Sequence, residues 1–247
     1  MARERRKGVL GRVKRRLGRA LADYQMTSDG DTLLVALSGG KDSSALLHIL
    51  QIRKQWIPID YNLVPVHVAL GENEDRCRVE RLYEQTAALG LNLKVLESDI
   101  ALRLEHQELP ESPCFHCSRW KRKMLFDYAV EKNIAKIAFG HHRDDILETA
   151  LLNLFYGSSF STMRPHQELF SGQLTIIRPL AYLDEKDIIS YCRHFALPLD
   201  SPPCRFLKGN SRREAMKDLL IGLEKDNPKV KNSLFHALRN VRYEYLL

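Results

Sequence analysis

The chain has no hydrophobic run of about 18 residues, so no transmembrane helix is expected. Its N-terminal segment lacks the apolar core of a secretory signal peptide. It contains no internal repeat and no low-complexity tract. Cysteine is scarce: the five are Cys77, Cys114, Cys117, Cys192 and Cys204. An odd count without a secretion signal argues against a disulfide framework and for a reducing cytosol, with a metal or redox role for some thiols. A cytoplasmic protein without membrane contact is the expectation. There is no second C-x-x-C to complete a zinc site with Cys114-Phe115-His116-Cys117. There is also no Gly-x-x-x-x-Gly-Lys-[Ser/Thr], which rules out the Walker loop.

The 247 residues, 44% of them hydrophobic, suffice for one large domain with appendages. The net charge is +7. Residues 1–19 hold nine Lys or Arg and one acid, so this segment accounts for the whole excess and the body is close to neutral. Within the body, Arg119, Lys121, Arg122 and Lys123 form one basic cluster. Arg205, Lys208, Arg212, Arg213 and Lys217 form another. Clustered basic charge is the electrostatic footprint of nucleic-acid binding, although a solvated helix face looks the same in sequence. Arg12, Arg15, Arg16, Arg122, Arg212 and Arg213 are the candidate RNA contacts.

Residues 38–43 read Ser-Gly-Gly-Lys-Asp-Ser, between the apolar run Leu33–Leu37 and the helix-forming Ser44-Ala45-Leu46-Leu47. Glycines allow a tight turn and close approach of a ligand, and the free amides of a helix N-terminus point outward. Successive amides in such a turn suit phosphate. Lys41 adds a positive charge, and Ser38 and Ser43 add hydroxyls. Asp42 would repel a phosphate unless a cation such as Mg²⁺ lies between them. A second constellation, Gly140-His141-His142-Arg143-Asp144-Asp145, follows another apolar run. Its aspartates fit helix caps, or one of them could hold Mg²⁺ or orient a substrate. Cys114 and Cys117 fit a redox pair, part of a metal site or a buried structural pair.

Apolar periodicity predicts a helix over 9–24 with Leu10, Val13, Leu17 and Leu21 on one face and its charge toward solvent. Strands are expected at 32–37, 59–68, 93–97, 134–139 and 174–177, and helices at 43–54, 75–90, 118–132, 144–155, 184–195, 211–223 and 230–245. Ser112-Pro113 reads as a break. Strands alternating with helices give an α/β class with an open, mostly parallel five-stranded sheet and helices on both faces. The expected organisation is a basic helix at 1–26, a nucleotide domain at 27–200 with a boundary at Pro198, Pro202 and Pro203, and a helical segment at 201–247. In open sheets, ligands sit at the carboxyl ends of strands. This favours 38–43, His67 at the end of the second strand, and Gly140, His141 and Asp145.

The hexapeptide 38–43 resembles the PP-loop of the N-type ATP pyrophosphatases, a HUP-like fold. The stretch from Gly140 through Leu151-Leu152-Asn153-Leu154-Phe155-Tyr156-Gly157 resembles the tRNA 2-thiocytidine synthetases, the TtcA type of PP-loop enzyme. So do Arg19-Ala20-Leu21-Ala22-Asp23, Arg178-Pro179-Leu180 and the tail from Cys204. The resemblance implies ATP and Mg²⁺ bound near Asp42 or Asp144. It also implies a [4Fe–4S] cluster on Cys114, Cys117 and Cys204, with one iron not bound by protein and open to a sulfur species. Lys121 then stands near the reacting base, and a tRNA base carbonyl, C2 of a cytidine in the anticodon loop, exchanges oxygen for sulfur. Its partners would be tRNA and a sulfur donor system, with a homodimer left open. This chain departs from the family at Cys204-Arg205-Phe206-Leu207, where a second cysteine is usual. Rival readings remain: another PP-loop ATP pyrophosphatase, with a different thiolated nucleotide or a lysidine-synthetase-like or small-molecule substrate; a cluster-bearing enzyme that removes sulfur, which leaves the PP-loop no obvious task; and a non-catalytic nucleotide-dependent RNA-binding protein.

Overall fold

The computed structural model describes residues 2–71, 76–108, 110–199, 204, 206 and 211–245, with the side chains of 2–7 set aside. The candidate positions Arg205 and Lys208, with Pro202 and Pro203, lie outside the described residues. Six strands form one sheet: β1 (Asp31–Ala36), β2 (Tyr61–Val68), β3 (Lys94–Leu96), β4 (Lys136–Ala138), β5 (His166–Leu169) and β6 (Leu174–Ile177). Their order is β3-β2-β1-β4-β6-β5. All pairings are parallel except β5 with β6. The sixth strand corrects the five-stranded expectation. β5 is the polar tetrapeptide His-Gln-Glu-Leu at the sheet edge, too short and too polar to show an apolar alternation.

β1 lies in mid-sheet and is buried on both faces, which explains its unbroken apolar run. Leu33 and Val35 enter a core shared with α1 (Ala2–Asp23), α2 (Lys41–Arg53) and α7 (Glu185–Phe195). Leu34 points the other way, toward Val66, Ile137 and the α5 (Pro113–Glu131) residues Leu125 and Ala129. On α1, Val13, Leu17 and Leu21 are buried in the first core. Each such side chain contributes roughly 1.5–3 kcal/mol. The helix is therefore part of the domain's packing.

The remaining helices are α3 (Arg76–Ala88), α4 (Ile100–His106), α6 (Arg143–Tyr156), α8 (Arg212–Asp226) and α9 (Val230–Ala237). α9 is shorter than expected and is followed by a 3-10 turn at Tyr243–Tyr245. Leu220 of α8 and Phe235 of α9 pack on Ile146 and Leu147 of α6. The C-terminal helices are thus held against the helix that follows β4. Ser112-Pro113 is a helix start: Ser112 caps α5 by accepting from the Phe115 amide, and Pro113 occupies its first turn. Cys114 and Cys117 therefore sit on the opening turns of α5. No helix of the described residues is long and apolar enough to cross a membrane.

Candidate active site

From β1 the strand order runs one way to β2 and the other way to β4. The crevice where a doubly wound sheet reverses is where ligands bind. Both sequence constellations open there: Ser38–Ser43 leaves β1 and Gly140–Asp145 leaves β4. Gly39 has φ +83, the left-handed backbone that glycine adopts without strain. At Gly140 a Cβ would lie 2.9 Å from the carbonyl carbon of Asp42 and the amide nitrogen of Ser43. Backbone atoms cannot swing aside, so glycine here brings the two loops together.

The loop is internally braced. The Ser38 and Ser43 hydroxyls are 3.1 Å apart, and Ser43 Oγ accepts from the Ser38 amide at 3.2 Å and donates to the Gly40 carbonyl at 3.1 Å. Gly40, the N-cap of α2, has no side chain to cap the helix, which suits an incoming anion. Lys41 Nζ lies 3.1 Å from both Asp42 Oδ2 and Glu185 Oε1. Burial opposes its charge, but the two carboxylates outweigh burial and raise the Lys41 pKa above its ordinary value. Lys217 of α8 pairs with the other Glu185 oxygen at 2.8 Å. Asp42 Oδ1 is buried without a hydrogen-bond partner.

A cavity of 310 Å³ lies beside the loop. Ser38, Asp42 and Ser43 form one wall, and Gly140, His141 and Asp145 a second. The third comes from α5, through Ser118, Lys121 and Arg122. His141 Nδ1 accepts from Arg178 Nε at 3.3 Å. Burial, with the Arg178 charge beside it, lowers the His141 pKa to about 3. The ring is neutral at physiological pH, with its proton on Nε2.

Two sequence expectations change. Asp144 faces away from the cavity: its oxygens accept from the Glu185 amide at 2.8 Å and pair with Lys231 of α9 at 2.9 Å. Burial raises its pKa, but these partners outweigh burial and hold it below the usual carboxylate range. Neighbouring helical positions point about 100° apart, so only Asp145 reaches the cavity. Asp145 also takes part in a capping box with His142 and pairs with Arg213 at 2.7 Å. His67 lies within β2, buried on the face opposite to Val66 and Val68, and its Nδ1 bonds the Leu37 carbonyl at 2.7 Å. It braces the loop entrance and is not part of the cavity wall.

The candidate RNA contacts divide similarly. Arg12 pairs with Asp187 at 2.7 Å. Arg16 reaches Asp184 at 2.9 Å and Asp187 at 2.6 Å. Arg213 binds Asp145 and Glu148, and Arg212 stacks 4.8 Å over the Tyr156 ring. Arg15 and Arg122 are exposed. Sequence reasoning missed the acids at the start of α7: Asp184, Glu185 and Asp187. The only local signal was an acidic helix N-terminus, which any helix favours.

All five cysteines, each among the described residues, are thiols. Cys192 is buried, and burial pushes its pKa up to about 11. Cys114 and Cys117 share a face of α5 at i, i+3 spacing. Cys114, Ser118, Lys121 and Leu125 continue as one stripe to the cavity wall. Burial raises the Cys114 pKa, and proximity to Cys204 raises it further. Among the described residues no group of three His, Cys, Asp or Glu is disposed to hold a metal ion. As a donor set, however, two thiols on one face with a third beside them suit an iron–sulfur cluster.

The chain matches the PP-loop domain family over residues 10–198. It is 39% identical over 238 residues to the tRNA-cytidine(32) 2-sulfurtransferase of Geotalea uraniireducens (strain Rf4), covering 96% of this chain and 94% of that one. The enzyme of the same name from Aeromonas salmonicida (strain A449) is 38% identical over 240 residues, with 96% of this chain and 78% of that one covered. Among solved structures, the U34-tRNA thiolase NcsA from Methanococcus maripaludis, with its [4Fe-4S] cluster, is similar at TM-score 0.79 and 22% identity, over 98% of this chain and 81% of that chain. An NH3-dependent NAD synthetase from Campylobacter jejuni is similar at TM-score 0.53 and 16% identity, over 96% and 94% of the two chains, and shares the fold. The loop after β1, its partner after β4 and a similarity that runs over nearly the full length agree: the chain belongs to the PP-loop family, within the group of the tRNA-cytidine(32) 2-sulfurtransferases.

Proposed function

We propose that this protein is an ATP-dependent tRNA sulfurtransferase that replaces the C2 oxygen of a loop cytidine with sulfur, releasing AMP and pyrophosphate. The carrying observation is the shared cavity. The PP-loop forms one of its walls, and the helix that bears Cys114 and Cys117 forms another. A site with both an anion cradle and a thiol-bearing helix matches an activation step followed by sulfur transfer.

The loop amides and Lys41 bind the ATP phosphates. Asp42 Oδ1 is the oxygen available to Mg²⁺, which usually takes one or two carboxylates and completes its shell with substrate phosphates and water. The cytidine C2 carbonyl oxygen attacks the α-phosphorus, pyrophosphate leaves, and the oxygen is now carried by AMP, a good leaving group. Lys41 and the loop amides counter the charge that builds on the phosphates in that step. Neutral His141 presents Nε2–H to the cavity as a hydrogen-bond donor. With its pKa at about 3, it is not a proton donor of the imidazolium kind. Cys114, Cys117 and Cys204 would hold a [4Fe–4S] cluster, which when bound supplies sulfur through an iron without a protein ligand. Ser118 and Lys121, which follow Cys114 and Cys117 on α5 and line the cavity, would orient the base at C2. The target must be unpaired to enter, which favours a loop nucleotide.

The test has two parts. Protein prepared without air is expected to hold about four iron per chain, and Cys204→Ser should lose iron while still binding ATP. tRNA from cells lacking the protein is expected to lack 2-thiocytidine. A complete thionucleoside profile in such cells would reject the proposal, and AMP formation driven by an amino acid would favour the lysidine-synthetase-like reading.

A further inference from the structure

We propose that the outer face of α5 is a platform for single-stranded RNA, holding the nucleotides that flank the target base. The proposal rests on the tRNA reading above and locates its partner on the molecule.

Three observations carry it. The first is shape and continuity. A groove of 1050 Å³ runs along α5 from His116 to Glu131 and ends at Phe170, in the turn between β5 and β6. The sixteen helical residues from His116 to Glu131 rise about 22 Å. Arg122 lines both this groove and the 310 Å³ cavity, so a strand in the groove passes directly to the ATP site. The groove starts one residue from Cys117.

The second is chemistry. Arg119, Arg122 and Lys123 are exposed along the half of the groove nearest the thiols, interleaved with the rings of His116 and Trp120. Those rings lie 5.5 Å apart, and the Arg103 guanidinium stands 5.7 Å from the Trp120 ring. Cations beside flat rings bind phosphate and stack bases, the combination used for single strands. The acids of the groove, Asp127 and Glu131, are at its far half and are paired, Asp127 with Lys123 at 2.6 Å and Glu131 with Lys132 at 2.9 Å.

The third is strain. Phe170 and Ser171 both hold left-handed backbone, at φ 52 and 56, without being glycine. Phe170 is nevertheless 58% exposed, with its ring 6.1 Å from Phe126. A left-handed non-glycine pair that presents an aromatic ring to solvent gains nothing for the core. Such outliers gather at binding surfaces.

The test uses the full chain and a fluorescent anticodon stem-loop RNA, with affinity read across a salt series and ATP binding read in parallel. Phe170→Asn keeps a residue tolerant of left-handed backbone and removes the ring. It should weaken RNA binding by about five- to tenfold, with an unchanged salt slope. Arg119→Ala, at an exposed position that folding does not need, should weaken binding and reduce the log–log salt slope by about 0.7. ATP binding should be unchanged in both. If the parent binds RNA and both variants bind it equally well, the platform is refuted and the tRNA reading survives. If the parent binds ATP but no RNA, the tRNA reading falls as well. If the variants lose a sulfur-carrier protein but keep RNA, the groove is a protein-docking surface and the proposal is overturned.

Discussion

Helices α1 and α5 are both rich in Arg and Lys, and in sequence both present a nucleic-acid footprint. Folding gives them different neighbours. Arg12 and Arg16 of α1 reach Asp184 and Asp187, about 170 positions away, and Lys14 lies 3.5 Å over the Trp56 ring. On α5, Arg119 and Arg122 stay exposed beside the cavity and the groove. The difference is that α7 begins with a cluster of acids and packs on α1, whereas the half of the α5 groove that holds Arg119 and Arg122 is lined by rings and open to solvent. Basic count is a property of a segment, but availability depends on what packs against it. Lys41 is intermediate, since Glu185 and Asp42 pair with it while it stands on the phosphate loop.

The largest expected effect tests that intermediate case. Lys41→Met should reduce AMP and pyrophosphate formation by at least about 100-fold, because a preorganised charge at the phosphates is lost. Its stability should change little, because Lys217 still pairs with Glu185. Unchanged turnover would place Lys41 with the structural cations of α1.

Arg16→Ala should lower stability in urea by about 2 kcal/mol, since the buried carboxylates of Asp184 and Asp187 lose a partner. The partial exposure of Arg16 keeps the effect below that of a fully buried pair. A loss under about 0.5 kcal/mol would show that α1 is held by its apolar stripe alone.

A pH measurement probes the cavity wall. Folding keeps His141 neutral down to about 3, whereas the unfolded chain binds that proton near 6.5. Between these values the unfolded state binds more protons, so stability falls as pH falls below about 6.5, by up to about 1.4 kcal/mol per pH unit. The groups facing the ring are Arg178, Arg122, Arg213 and Asp145, and the three arginines oppose its protonation. His141→Gln should flatten the stability curve over this range. Parallel curves for parent and variant would refute the assignment. Asp144, held below the usual carboxylate range by Lys231 and the Glu185 amide, adds its own loss only below about 4.

The smallest effects separate the helices directly. Arg122→Ala should reduce the salt slope of RNA binding by about 0.7 while leaving stability within about 0.5 kcal/mol. Arg15→Ala, exposed on α1 away from the cavity, should change neither. A larger effect on RNA from Arg15 than from Arg122 would reverse the comparison.

Much of the site was legible because it is local. Ser38–Ser43 and Gly140–Asp145 each combine a strand end, a glycine turn and a helix start within a few residues. Those features survive in any fold that pairs β1 with β4. Which of Asp144 and Asp145 faces the cavity was not legible, because one helical step separates the two directions. His67 looked like a strand-end residue, but the alternation of β2 turns it to the opposite face. β5 and α4 left no periodic signal, being four and seven residues long. The acids of α7 were invisible as partners because nothing near them in the chain names Arg16 or Lys41.

Local chemistry settled that a phosphate loop follows β1 and that a helix with an acidic first turn follows β4, whereas the break expected at Ser112-Pro113 proved to be a helix start that carries Cys114 and Cys117. The first two depend on spacings of a few residues, where backbone geometry leaves little freedom. The long-range pairings came from packing: α1 on α7, α8 and α9 on α6, and the stripe of α5 facing the cavity. Apolar burial chose those neighbours without regard to charge, and the charges then took whatever partners burial had placed beside them. Folding thereby made Arg12 and Arg16 of α1 structural and left Arg119 and Arg122 of α5 open.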